Sequence, residues 1–199
     1  MNDARVRVLD GAYACVSRFG MGKTTIDDVA KASGVSRATI YRLFPGGREE
    51  LLRETVGAEM NRFFADLADA VADAPDLASR LEQALVFARR ALLDHEVLQK
   101  VLVTEPDLLL PLMTIEQHRV LRYITGYLEP LLEQERARGQ LRDDIHLDDA
   151  ADYLARMVLS LIGSPGRWDL ADREAVRRLV RDELLAGIRR PSGDPAAEI

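Results

Sequence analysis

The sequence predicts an all-α fold, because apolar residues recur at spacings of three and four along nearly the whole chain. No segment alternates apolar and polar residues over the length of a strand between turn signals. Clusters of Gly, Pro and Asp interrupt the helical pattern where helices would begin or end, at FGMGKT, SGVS, FPGG, DAPD, TEPD, RGQLRDD and GSPGRWD. We expect about nine helices in all.

Length and composition are typical of a globular protein, since 199 residues with 47% hydrophobic content suit one or two domains with a substantial core. No apolar run approaches the ~20 residues of a membrane-spanning helix, and the first residues lack the apolar segment of a signal peptide. We therefore expect a cytoplasmic protein without a membrane partner. A single cysteine, Cys15, agrees with a reducing compartment.

Neither a metal centre nor a catalytic site is predicted. The three histidines, His95, His118 and His146, and the lone cysteine are scattered along the chain without the spacing of metal ligands. No nucleophile, base and orienting acid form a recognisable arrangement, so we expect neither an enzyme nor a bound cofactor.

The stretch FGMGKTT invites comparison with a nucleotide-binding phosphate loop. Gly22, Lys23 and Thr24 fit the end of the G-x-x-x-x-G-K-[ST] pattern, but Ser17 stands where the first Gly belongs. The preceding segment, RVRVLDGAYACVSRF, has the apolar spacing of a helix, whereas a phosphate loop follows a buried strand. We therefore predict a turn between two helices, with Phe19 closing the first helix against the core.

The net charge of −6 taken alone argues against a nucleic-acid partner, but the charges are unevenly distributed. Residues 1–55 carry nine Lys and Arg against seven Asp and Glu, whereas the remainder carries 18 basic and 26 acidic residues. A modestly basic N-terminal region on an acidic body is what a protein needs when only one end contacts a polyanion.

The segment TTIDDVAKASGVSRATIYRLF predicts two short helices joined by a tight turn. Thr25 is suited to cap the first helix together with Asp28, and Gly34 to end it. Val35 would fill the turn, and Ser36 would cap the second helix. Preceded by one longer helix, this arrangement is a helix-turn-helix whose second helix can enter the major groove of DNA.

The side chains that point outward from these helices suit contact with DNA. Arg37 can make a bidentate contact with guanine, while Ala38 and the methyl group of Thr39 can meet the methyl group of thymine. Other side chains at the starts of these helices and of the next one can hold phosphates. The predicted DNA-binding residues are Lys23, Thr25, Ser36, Arg37, Ala38, Thr39, Tyr41, Arg42 and Arg48. Helix pairs with Gly turns are also common in bundles, so spacing alone leaves ordinary packing open as an alternative.

The run from Thr24 to Phe44, followed by REELL, closely resembles the N-terminal domain of the TetR/AcrR family of bacterial transcriptional regulators. The resemblance covers about residues 5–55 and is specific in both spacing and residue type. It implies a helix-turn-helix head in residues 1–47, a helical domain in residues 48–190 that binds a small molecule and dimerises, and a near-palindromic double-stranded operator. We expect residues 191–199 to form a disordered tail.

Two features depart from the family pattern. PGGR follows Phe44 where the family more often has a Ser- or Asn-containing turn and then Lys, so Arg48 takes the place of that Lys. The acidic Asp27 and Asp28 lie next to the expected DNA face, where they could narrow the phosphate contacts.

The body of the chain carries two apolar helices near its C-terminus. The segment LDDAADYLARMVLSLIG is apolar over most of its circumference, and DLADREAVRRLVRDELLAGI has a continuous apolar stripe. By similarity these two helices form the interface of a homodimer, while packing within the chain is the alternative. A long helix that begins near Arg48 would join the head to this body.

Between these parts, Pro106 and Pro111 should break the apolar run of residues 97–113 into short, offset helices. Such breaks can line a cavity for a small hydrophobic ligand, although each of these residues could equally fill the core. The candidate lining residues are Phe63, Leu67, Phe87, Leu102, Leu109, Met113, Tyr123, Tyr127 and Met157.

The sequence therefore predicts a DNA-binding transcriptional regulator, a repressor released from its operator by a small hydrophobic ligand. The alternative is a helical binding or scaffold protein with a vestigial DNA-binding head, whose acidic body meets a protein partner.

Overall fold

The computed structural model describes residues 3–190, without the side chains of residues 112, 113, 115 and 116. Its helices are α1 (Asp3–Phe19), α2 (Ile26–Ser33), α3 (Arg37–Leu43), α4 (Gly47–Ala70), α5 (Leu77–Asp94), α6 (Glu96–Thr104), α7 (Pro106–Ala137), α8 (Leu147–Gly163) and α9 (Arg173–Arg178), which continues into a π-helical turn (Leu179–Leu184). No strand occurs in this range, so the predicted all-α fold is confirmed. The predicted disordered tail, residues 191–199, lies outside the described residues.

The chain divides into two compact units. Within the described range, residues 3–65 and 93–117 form the first unit, and residues 66–92 and 118–190 form the second. The predicted head therefore shares its unit with α6 and the beginning of α7. None of the helices combines the length and the apolar character that crossing a bilayer requires.

Helices α1 to α3 and the start of α4 enclose the core of the head. Val8, Val29, Ile40 and Phe44 are fully buried there. The ring of Phe44 lies under the guanidinium of Arg5, 4.5 Å from it, and Arg5 donates a hydrogen bond to the Leu43 carbonyl at 3.0 Å. The first helix thus holds the end of α3 through both apolar contact and a charged donor.

The connection between α2 and α3 is the predicted helix-turn-helix. Thr25 caps α2 in a reciprocal capping box with Asp28, and Gly34 ends it in the left-handed conformation at φ 65°. Val35 is buried in the turn, and the Ser36 hydroxyl accepts the backbone N–H of Thr39 at the start of α3. Each predicted cap is confirmed, because caps depend on residues only three positions apart.

A second apolar cluster in the first unit joins α1 and α4 to α6 and α7. Its buried members are Val16, Met21, Leu52, Val101 and Leu109. Helix α6 and the start of α7 thus pack on the end of α1 and on α4 through these residues.

The second unit is built on one large core shared by α5, α7, α8 and the C-terminal helix. The C-terminal stripe that the sequence analysis assigned to a dimer interface is buried in this core; its residues are Leu170, Val176, Leu179, Val180, Leu184 and Ile188. The stripe is therefore satisfied within the chain, and a partner would have to contact other faces of these helices.

Two local predictions are wrong. Pro106 does begin a new helix, but Pro111 lies inside the continuous α7, where it removes one backbone hydrogen bond from a 32-residue helix. Phe19 does not close α1 against the core, since its side chain is 41% exposed and lies 5.1 Å beneath the guanidinium of Arg18.

Candidate nucleic-acid interface

Helix α3 presents a polar and basic face to solvent. The fully buried Ile40 anchors this seven-residue helix, so that Arg37, Ala38, Tyr41 and Arg42 are exposed and Thr39 is half-buried. These are the residues that the sequence predicts to read bases and hold phosphates. The structure thus brings the outward residues of α3 together on one surface of the head.

Arg37 is held by an acidic residue of the preceding helix. Its Nη1 lies 2.9 Å from Oδ1 of Asp27, and both side chains are more than half exposed. Arg37 is the first residue of α3 and Asp27 the second residue of α2, so the ion pair joins the starts of the two helices. An exposed pair of this kind adds little to stability. Its notable property is its position beside the residues that the sequence predicts to contact DNA.

The hydroxyl groups on this surface are engaged in capping. Thr25 Oγ1 donates to Oδ2 of Asp28 at 2.6 Å, and this bond lowers the pKa of the Asp28 carboxyl. Ser36 Oγ donates to Oγ1 of Thr39 at 3.0 Å. The three hydroxyls therefore shape the two helix starts, whereas Lys23 is exposed on the turn before α2.

Arg48 faces the turn between α1 and α2. Its guanidinium donates to the carbonyl of Thr24 at 2.7 Å, to that of Gly22 at 3.1 Å, and also to that of Met21. The sequence predicts that Arg48 contacts a phosphate. The observed bonds use Nε and Nη2 and indicate a structural function in holding the turn, and the phosphate contact stays a prediction.

The same turn binds a carboxylate through its amides. Glu105 lies between α6 and α7. Its Oε2 accepts the Met21 N–H at 2.5 Å, and the Gly22 N–H is shared between Oε1 at 3.2 Å and Oε2 at 3.3 Å. Gly20 adopts φ 88°, and a Cβ there would lie 2.8 Å from Oε1 of Glu105. The left-handed backbone favours glycine at position 20, and a Cβ there would push the carboxylate away from the amides that it binds.

The phosphate-loop-like sequence therefore has an anion at its amides, and that anion belongs to the chain itself. A second link is parallel to it, as Lys100 of α6 donates to the carbonyl of Ser17 at 2.9 Å. The sequence alone does not reveal the function of Glu105, because 84 positions separate it from Met21. The one feature of the sequence that could have pointed to this bond is the position of Glu105, an acidic residue directly before Pro106, where a helix begins.

Replacing Glu105 by glutamine is expected to lower the free energy of unfolding by about 1–2 kcal/mol, because charge-assisted bonds to the two amides become neutral or are lost. Chemical denaturation followed by circular dichroism measures the change. Glu96, exposed on the first turn of α6, supplies the control Glu96→Gln, for which only a few tenths of a kcal/mol are expected. Equal losses in both variants would contradict the assigned bond.

The predicted ligand-binding residues are divided between the units. Phe63, Leu102 and Leu109 belong to the first unit, and Leu67, Phe87, Tyr123, Tyr127 and Met157 to the second. Leu102 and Leu109 pack in the cluster around α6, while Tyr127 and Met157 pack on the core of the second unit. Tyr127 also accepts a hydrogen bond from Arg80 at 3.0 Å. The side chain of Met113 lies outside the described ones, and the pocket stays a prediction.

No three His, Cys, Asp or Glu residues gather as a metal site within the described range. Cys15 is buried in the head, and its burial raises the pKa of the thiol. The side chain therefore behaves as a small apolar core residue.

Comparison with known proteins finds a family model that matches the N-terminal residues and relatives that match longer parts of the chain. The model of the family described as bacterial regulatory proteins, tetR family, matches residues 8–55. An uncharacterized HTH-type transcriptional regulator of Mycobacterium tuberculosis is 27% identical over 174 residues, which cover 87% of this chain and 82% of that protein. Another from Mycobacterium bovis is 30% identical over 112 residues, covering 52% and 56%.

Solved structures share the fold at lower identity. A putative TetR-family transcriptional regulator from Mesorhizobium loti has a TM-score of 0.66 at 17% identity, covering 96% of this chain and 100% of that one. SmeT, the repressor of a Stenotrophomonas maltophilia multidrug efflux pump, has a TM-score of 0.57 at 22% identity, covering 96% and 94%. At these identities the likeness establishes a common fold.

Proposed function

Because this chain belongs to the TetR family of bacterial regulatory proteins, we propose that it is a homodimeric transcriptional repressor that binds a near-palindromic operator and leaves it when a small hydrophobic ligand binds. The observation that carries the proposal is the helix-turn-helix with its capped α3 and the exposed Arg37, Ala38, Tyr41 and Arg42. A short helix that packs on the core through Ile40 and Leu43 and exposes a largely polar face is suited to lie in the major groove.

The roles within the interface follow from position. Arg37, at the start of α3, reads a guanine, and the neighbouring Ala38 and Thr39 contact a thymine methyl group. Tyr41, Arg42 and Lys23 contact phosphates on either side. Arg48 acts through the shape of the turn that carries Lys23, because its Nε and Nη2 donate to carbonyls of that turn.

A two-fold dimer supplies the second head that a near-palindromic operator requires. Since the C-terminal apolar stripe is buried within the chain, we place the dimer contact on the outer side of α8. Tyr153, Arg156 and Ser160 are exposed there, next to the half-buried Leu159. Light scattering at micromolar concentration tests this, and a monomer would remove the proposed dimer.

The release of DNA requires a ligand that binds better to the conformation in which the head cannot meet the operator. The solved complex of SmeT with triclosan, 22% identical to this chain, supports a hydrophobic compound as the ligand class. Helix α4 contributes residues to both compact units, and this supports its use in coupling. A thermal-shift screen of hydrophobic metabolites would identify the ligand, whose binding raises the melting temperature.

Selection of bound sequences from a random DNA pool at several salt concentrations tests the function directly. Enrichment of a palindrome, with affinity that falls steeply as salt rises, is expected for the regulator. The absence of enrichment would favour the helical scaffold protein with a vestigial head.

Replacing Arg37 by alanine is expected to cost about 1–3 kcal/mol of binding and to relax specificity at a single base pair, because a bidentate contact to guanine is lost. Competition binding against operators mutated one position at a time measures the effect. The control is Arg42→Ala, which should weaken all sequences alike and lower the salt slope by about one. If each variant lowered the affinity for every operator sequence by the same factor, base reading by Arg37 would be refuted.

A further inference from the structure

The ion pair between Asp27 and Arg37 places a carboxylate beside the proposed base-reading side chain. We propose that Asp27 is a specificity-determining residue that positions the guanidinium of Arg37 for a single base. This inference rests on the proposed DNA-binding function. It assigns Asp27 the role of a positioning residue, which acts on the base through Arg37.

The geometry leaves the base-reading edge of Arg37 available. Oδ1 of Asp27 contacts Nη1 at 2.9 Å, and within residues 3–190 this is the one ion pair of Arg37. The edge formed by Nε and Nη2 carries two parallel N–H donors. Two parallel donors match O6 and N7 of guanine, the commonest specific contact in the major groove. One side of the guanidinium can thus stay on Asp27 while the other side reads the base.

Asp27 and Arg37 both lie at capped helix starts, where the backbone conformation is well defined. Asp27 follows the cap Thr25 by two positions, and Arg37 directly follows the cap Ser36. The left-handed Gly34 and the buried Val35 set the turn between them. An arginine side chain on such a platform would otherwise sample many rotamers, so an acidic partner reduces the freedom that is lost on binding.

The carboxylate also acts against binding to the wrong sequences. A negative charge beside the groove repels the phosphates of every DNA sequence, whether or not a guanine is present. At the operator the contact of Arg37 with guanine offsets this repulsion. DNA without that guanine is repelled in the same way but gains no such contact. Asp27 therefore widens the difference between operator and non-operator DNA, which is how a repulsive element increases specificity.

Replacing Asp27 by asparagine tests the inference, with the selected operator and its guanine-substituted version as probes. Discrimination between the two is expected to fall about tenfold, within the range that one bidentate pair provides. Affinity for random-sequence DNA is expected to rise about twofold to threefold, because a repulsive charge is removed. Glu49→Gln is the charge-matched control, since Glu49 is an exposed acid of the same compact unit, on α4, that is outside this ion pair. It should leave discrimination unchanged.

A double-mutant cycle separates positioning from a general effect on charge or folding. In the Arg37→Ala background, Asp27→Asn is expected to change discrimination at that base by less than about twofold, because the side chain it positions is absent. Asp27→Glu, which keeps the charge, should retain more discrimination than Asp27→Asn. Three outcomes would overturn this inference while leaving the proposed function intact. Asp27→Asn could change the affinity for all sequences by the same factor, or it could tighten operator binding while discrimination is retained. The effects of the two substitutions on discrimination could also be additive in the cycle. Selection of no sequence by the wild-type protein would refute the proposed function, and this inference with it.

Discussion

Replacing Phe44 by alanine is expected to lower the free energy of unfolding by about 3–5 kcal/mol, the largest effect of a single truncation in the head. The ring is fully buried among α1 to α4 and is covered by the guanidinium of Arg5. Its removal leaves a cavity at the point where α3 ends and α4 begins. Urea denaturation followed by circular dichroism measures the loss, and binding of the selected operator should weaken as the end of α3 loses its support.

Phe19 provides a matched control, because it is the same residue type at the end of a neighbouring helix but is 41% exposed. Phe19→Ala is expected to cost less than about 1 kcal/mol, since truncating an exposed side chain leaves no cavity. Similar losses in the two variants would contradict the burial assigned to Phe44 and the exposure assigned to Phe19.

Replacing Arg48 by alanine is expected to lower the free energy of unfolding by about 2–3 kcal/mol, because three carbonyls of the turn after α1 lose a charged donor. The salt slope of DNA binding should stay as in the wild type, since the guanidinium faces the turn. Chemical denaturation and binding at several salt concentrations measure the two quantities on the same protein.

Arg48→Lys separates the geometry of the guanidinium from its charge. Lysine keeps the charge but lacks the planar fork that reaches several carbonyls at once, so we expect it to recover only part of the stability. The opposite outcome for Arg48→Ala, an unchanged stability with a salt slope reduced by about one, would assign Arg48 to a phosphate instead.

The helix-turn-helix could be read from the sequence because its determinants are local. Thr25 pairs with Asp28, Ser36 pairs with Thr39, and Gly34 supplies a left-handed backbone, each within a few positions. The outward face of α3 follows from the spacing around Ile40, since a helix repeats every 3.6 residues. The chemistry proposed for Arg37 therefore needed no knowledge of the rest of the chain.

The backbone groups that Arg48 and Glu105 bind could not be predicted from local sequence. Both side chains bind the turn around Met21, from positions 27 and 84 residues away. Periodicity carries no information on such pairs, because a charged residue at a helix end looks the same whether it faces solvent or a distant turn. The turn was recognised as rich in glycine, yet the carboxylate that its amides bind is a tertiary feature.

The sequence by itself determined that this protein is all-helical, where most of its helices begin and end, and which side chains of α3 face outward, since these properties arise from contacts within one or two helical turns. The tertiary structure decided what each apolar stripe packs against. The C-terminal stripe around Leu179 and Leu184 is buried in the chain's own core, although its spacing would equally suit a partner subunit. Burial removes apolar surface from water whichever surface covers it, so periodicity predicts that a face is covered but not by what.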